Sequence, residues 1–168
     1  MRQHKKINVV KFLCAFLLLL SIGVTGYCAD APPLPPNINI NIVPPGANVS
    51  ADLAKLSGKW VGTISVSAAD GKNWSDTAKH VLIVEKIDEV GVITVIYARG
   101  DYPSLKTYPP GFWARYKATW GEDTKELTVS YPYQNAQANM TYKLTADGNL
   151  VGSGQIGNEN RKYNLHRE

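Results

Sequence analysis

From Lys59 to Arg167 the sequence returns again and again to short runs of Val, Ile, Thr, Tyr and Trp. The runs recur about every dozen residues and are split by turn residues, the pattern of an all-β chain. Eight are legible: Lys59–Ser67, Lys79–Ile87, Val92–Arg99, Phe112–Trp120, Lys125–Tyr131, Ala138–Thr145, Asn149–Ile156 and Arg161–Arg167. The later ones alternate cleanly. Phe112, Ala114, Tyr116, Ala118 and Trp120 share one face, and Arg115, Lys117 and Thr119 the other. Leu127, Val129 and Tyr131 alternate with Glu126, Thr128 and Ser130, and Met140, Tyr142 and Leu144 with Thr141 and Lys143. One dry face and one wet face describe an antiparallel sheet packed on one core. Asp147-Gly148 reads as a hairpin, since both residues tolerate the positive φ of a type I′ turn. Connections this short make a meander, and closing a meander removes its exposed edges. The expected fold is therefore all-β, an eight-stranded antiparallel up-and-down barrel, with a β-sandwich as the alternative.

What precedes the barrel divides in two. Arg2, Lys5, Lys6 and Lys11 lead into the apolar run Phe12–Leu20, with Gly23 and Gly26 behind it. That is the layout of a secretory signal, with an apolar core too short to span a bilayer comfortably. Residues 1–28 are read as the signal, so no membrane span is expected after its removal. A lipid anchor on Cys28 is less expected, because Tyr27 stands where a lipoprotein box needs a small residue. Residues 29–49 are rich in proline and asparagine. Pro32, Pro33, Pro35, Pro36, Pro44 and Pro45 bracket the Asn/Ile alternation of Asn37–Val43 and favour an extended linker over a short edge strand. Ser50 is expected to cap a helical turn over Ala51–Leu56, with Gly58 just past its end. Residues 50–168 form the domain.

Charge and cysteine content narrow the partners. All four basic residues before residue 29 belong to the signal, so the 18 basic residues of the whole chain fall to parity with its 14 acidic ones. A nucleic-acid partner is disfavoured, because phosphate neutralisation needs a basic excess. Cys14 and Cys28 both lie in the signal, which leaves the domain without an internal disulfide or thiolate metal cluster. No cofactor is expected, and no metal.

Few residues suggest catalysis. His80, at the opening of a strand, and His166, opposite Tyr163 and Leu165, are expected to face water. Asp88-Glu89 and Glu122-Asp123 sit in tight turns beside glycines, where solvation explains them. Arg99-Gly100-Asp101 spells an adhesion tripeptide, but the position needs only a glycine between strands. The aromatics say more. Trp60, Tyr116, Trp120, Tyr142 and Tyr163 fall on apolar faces and are read as core. Trp74, Tyr102, Tyr108, Tyr131 and Tyr133 fall in or beside the longer connections. In a meander those connections, 68–78, 100–111 and 132–137, gather at one end, where a binding site on a rigid barrel is expected.

The stretch Leu53–Ile64, LAKLSGKWVGTI, resembles the opening of the calycin barrels, which comprise lipocalins, fatty-acid-binding proteins and avidins. There a helical turn precedes a Gly-x-Trp on the first strand, matched here by Gly58 and Trp60. The resemblance implies a late arginine packed on that tryptophan, Arg161 or Arg167. The chain is also similar to small exported bacterial β domains with a Gly-x-Trp start and an Asp-Gly hairpin near the end. Biotin-contacting residues of avidins do not map onto it. Together these features set the functional expectation. The chain is read as a non-enzymatic binding protein, periplasmic or secreted, holding an apolar or sugar-like small ligand at the long-loop end through Trp74, Tyr102, Tyr108, Tyr131 and Tyr133. The alternative is a protein–protein module, an inhibitor or accessory subunit bound to an envelope protein.

Overall fold

The alternation closes on itself. The computed structural model describes residues 32, 34–70, 72–133 and 136–168, so residues 1–28, with the expectation of a signal placed on them, lie outside the described residues. The strands are β1 (Gly58–Ala68), β2 (Ser75–Ile87), β3 (Ile93–Arg99), β4 (Phe112–Gly121), β5 (Glu126–Tyr133), β6 (Ala136–Leu144), β7 (Leu150–Ile156) and β8 (Glu159–Arg167). Each pairs antiparallel with its sequence neighbour, and β8 returns to β1, where Ile64 faces Tyr163 across the seam. The result is a closed barrel with no free edge, the outcome that the short connections favour. Trp60, Ile64, Leu82, Val95, Leu127, Val129, Met140 and Leu165 point inward and are buried. Gly152 makes room among them, because a Cβ there would lie 2.8 Å from the Tyr142 ring. Among the described residues no helix is long and apolar enough to cross a membrane.

Turn chemistry departs from expectation at two places. At Asp147-Gly148 only the glycine takes a positive φ, +82°. Gly148 N–H donates to Thr145 O and Thr145 N–H to Asn149 O, so the connection is a four-residue turn closed by a left-handed glycine, not a type I′ turn. Asp88–Gly91 repeats the arrangement, with Asp88 Oδ1 accepting from the Val90 and Val92 N–H groups. The helical turn, α1 (Ala51–Ala54), is shorter than expected, and Ser50 does not cap it. The Ser50 hydroxyl donates instead to Glu122, on the β4–β5 turn.

The proline-bracketed segment forms no strand, but it is docked. β2 and β3 are buried on both faces, because Val81, Ile83, Ile96 and Ala98 form a second apolar cluster on the outer wall. Leu34 and Ile38 pack onto that cluster beside Val61 and Trp113. Glu85, set at a β-bulge between Val84 and Lys86, fastens the segment. Its carboxylate takes a bidentate pair from Arg115, at 2.6 and 2.9 Å, and accepts from the Asn41 N–H at 3.3 Å. Arg115 also donates to Asn39 O, and Val43 N–H donates to Glu85 O. The Asn/Ile alternation is therefore a strap laid across the barrel wall. Arg115→Ala leaves a buried carboxylate with one weak donor and is expected to cost about 1–3 kcal/mol in denaturant unfolding. Adding Glu85→Ala should recover part of that loss, and a double variant worse than the sum of the singles would refute the pairing.

Candidate functional site

The strand registers put the connections after β1, β3, β5 and β7 at one end of the barrel, as the meander requires. Two of them are long, 69–74 and 100–111. The third is short, since Pro132 pairs with Gln137 and Tyr133 with Ala136, so Tyr131 and Tyr133 sit on β5 and not in a loop. Loop 100–111 lies folded over this end. It is held by side chains that rise from the strands beneath it. Ser104 N–H donates to Asp76 on β2, and Gly111 N–H to Asp101 within the loop.

Two arginines fasten it from inside. Arg99 ends β3 on the inward phase of Val95 and Tyr97 and is 1 % exposed. Its guanidinium donates to Gly100 O at 2.7 Å and to Pro109 O and Pro110 O at 3.0 Å. The rings of Tyr102, Tyr108 and Phe112 surround it at 4.6, 5.3 and 5.5 Å. No carboxylate pairs with it among the described residues. Arg161 lies on β8, on the inward phase of Tyr163 and Leu165. It donates to Tyr108 Oη at 2.8 Å, Tyr131 Oη at 3.2 Å and Glu159 Oε2 at 2.9 Å. The Tyr108 hydroxyl donates to the same Glu159 oxygen at 2.5 Å. One carboxylate oxygen thus serves both the cation and the loop.

Beneath the arginines is a layer of rings. His80 is 1 % exposed, not solvent-facing as the sequence suggests. Its ring centroid lies 4.6 Å from Tyr97 and 5.2 Å from Tyr163. Its Nδ1–H donates to Ala98 O at 2.7 Å, and Nε2 accepts from the Tyr142 hydroxyl at 3.3 Å. Burial pushes its pKa down to about 3, with the Arg99 and Arg161 charges adding to the effect, so the ring is neutral. Burial raises the hydroxyl pKa of Tyr97, Tyr102, Tyr142 and Tyr163 and keeps them neutral donors. The Tyr97, Tyr102 and Tyr163 hydroxyls and the Nε atoms of Arg99 and Arg161 are buried and make no hydrogen bond.

Of the five aromatics picked from the sequence, Tyr102 and Tyr108 close around Arg99, and Tyr131 meets Arg161. Tyr102 is buried at 4 % exposure under the folded loop. Trp74 and Tyr133 are half-buried against the main core and stand outside this hydrogen-bonded group, Tyr133 beside Gly157. The adhesion reading of Arg99-Gly100-Asp101 fails, because the Arg99 side chain is inside the barrel. Sequence reading missed Arg99, Arg161, Glu159 and His80. The signal was parity, since Arg99 and Arg161 each fall in step with apolar residues on their strands. No protein-family model matches this sequence, and no curated protein matches it either.

Proposed function

We propose that the chain is an exported, non-enzymatic binding protein of calycin type. It holds a small organic anion with an apolar body at the loop end of the barrel, under loop 100–111. The observation that carries this reading is the pair of buried cations, Arg99 without a carboxylate partner among the described residues and Arg161 held by Glu159, beside buried hydroxyls that make no hydrogen bond. Unpaired polar groups inside a barrel are costly and ask for an explanation. An anion supplies the missing acceptors. The neutral tyrosine hydroxyls can donate to it, and Tyr97, Tyr163 and the aliphatic core offer apolar surface to its body. Glu159 sits at the rim and is the group an incoming anion displaces from Arg161. That exchange also frees the Tyr108 hydroxyl, so occupancy and loosening of the loop are linked.

Octanoate and octanol are suitable probes for calorimetric titration. Octanoate is expected to bind the mature protein, with octanol and the Arg161→Met variant weaker by about tenfold or more. Equal binding of the two probes, or octanoate binding unchanged in Arg161→Met, would show that the cations serve only to fasten the loop.

A further inference from the structure

At the opposite end of the barrel, α1, the β4–β5 turn and the β6–β7 hairpin enclose a cleft of about 550 Å³. That is within the range of small-molecule sites. Its apolar lining is Trp120, Leu144 and Ala146, and its rim carries Asp52, Lys55, Lys125 and Lys143. Trp120 and Leu144 are half-buried and rest on the main core, so the floor is fixed while part of it stays open. The Trp120 indole N–H is buried without a hydrogen bond.

The rim charges are unequally committed. Asp52 holds Lys55 at 3.0 Å and stands 3.7 Å from Lys125, which is also held by Glu122 at 3.0 Å. Lys143 has no carboxylate partner among the described residues. The Thr145 hydroxyl is already engaged with the Asn149 backbone. The cleft therefore offers an indole floor, one uncommitted cation and one fixed acceptor, Asp52, beside them.

We infer that this cleft binds a sugar acid, with the pyranose ring on Trp120 and the carboxylate on Lys143. The indole suits the C–H face of a pyranose, as aromatic side chains suit any flat apolar surface with a polar edge. Lys143 supplies a charge-assisted bond to the acid group. Asp52, on the same rim, can accept from the hydroxyls of a sugar, which a bare aromatic acid does not have. The site is separate from the arginine-lined end and does not depend on what that end binds.

Tryptophan fluorescence titrated with D-glucuronate, D-glucose and benzoate tests the assignment on the mature protein. D-glucuronate is expected to give a saturable change, with glucose and benzoate weaker by about tenfold or more. Lys143→Gln alters an exposed side chain and should weaken glucuronate by about tenfold with an unchanged melting temperature. Trp120→Phe should remove most of the fluorescence response, and Arg161→Met should leave it intact. The inference is overturned by any of three results. They are no saturable response up to about 10 mM glucuronate, equal or tighter binding of benzoate, or glucuronate binding unchanged in Lys143→Gln.

Discussion

Trp60→Ala is expected to destabilise the barrel by about 3–5 kcal/mol, the usual cost of emptying a large aromatic site. Trp60 is 1 % exposed and plugs the end of the barrel opposite loop 100–111. Three features make relaxation into the vacated space difficult. The indole N–H donates to Leu56 O at 2.9 Å and ties α1 to the first strand. Arg167, at the end of β8, lies over the ring at 4.5 Å, so the arginine that the calycin resemblance calls for is this one and not Arg161. The same guanidinium donates to the Ser57 and Lys55 carbonyls, so the segment that enters β1 and the end of β8 close around one side chain. Gly58 turns this corner at φ +123°, a conformation that other residues rarely take. Guanidinium denaturation measures the loss, and a value below about 1 kcal/mol would mean that the ring is not the plug of this end.

The later strands were legible because one face of each is wet. On β5 and β6 the alternation reads directly, and the observed phases of Leu127, Val129, Met140 and Tyr142 follow it. β2 defeated the same reading. Val81 and Ile83 are buried under the strap while Leu82 and Val84 are buried in the barrel, so the strand is apolar on both sides and carries no phase. His80 took its wrong assignment from that loss, since nothing in the run Val81–Val84 says which parity points in. The strap was invisible for a related reason. Leu34 and Ile38 are anchored by a distant patch on the barrel wall and by Glu85, 44 residues from its partner Asn41, and no local pattern encodes that pairing. Tyr102 and Tyr108 were picked out as loop aromatics, and they do gather at one end. What they gather around, Arg99, was hidden in a tripeptide that reads as surface. A charged residue in step with Val95 and Tyr97 is the kind of local inconsistency that marks a functional or strained site.

His80 sets the acid stability of the fold. Its pKa inside the barrel, about 3, lies well below the ordinary value near 6.5, because burial and the two arginine charges oppose protonation. Folding thus favours the neutral ring. As pH falls, the unfolded chain takes up a proton near 6.5 while the folded barrel resists until about 3. The stabilisation is fully present above the unfolded value and is lost through the window between the two. One proton over that window corresponds to a loss of about 2–3 kcal/mol between pH 7 and pH 4.5, and more below. The geometry agrees with the sign. Nε2 accepts from Tyr142, and placing a proton there forces that hydroxyl to turn, against the charges of Arg99 and Arg161 and with no carboxylate paired to the ring among the described residues. His80→Phe keeps a ring among Tyr97, Tyr142 and Tyr163 but removes the titration. Its stability at pH 7 should fall, since Ala98 O loses its donor, yet its unfolding free energy should change less between pH 7 and pH 4.5 than that of the unaltered protein, by about one proton's worth of slope. Parallel pH profiles for the two proteins would show that His80 takes up its proton at the same pH in the folded barrel as in the unfolded chain, and the depressed pKa would fall with it.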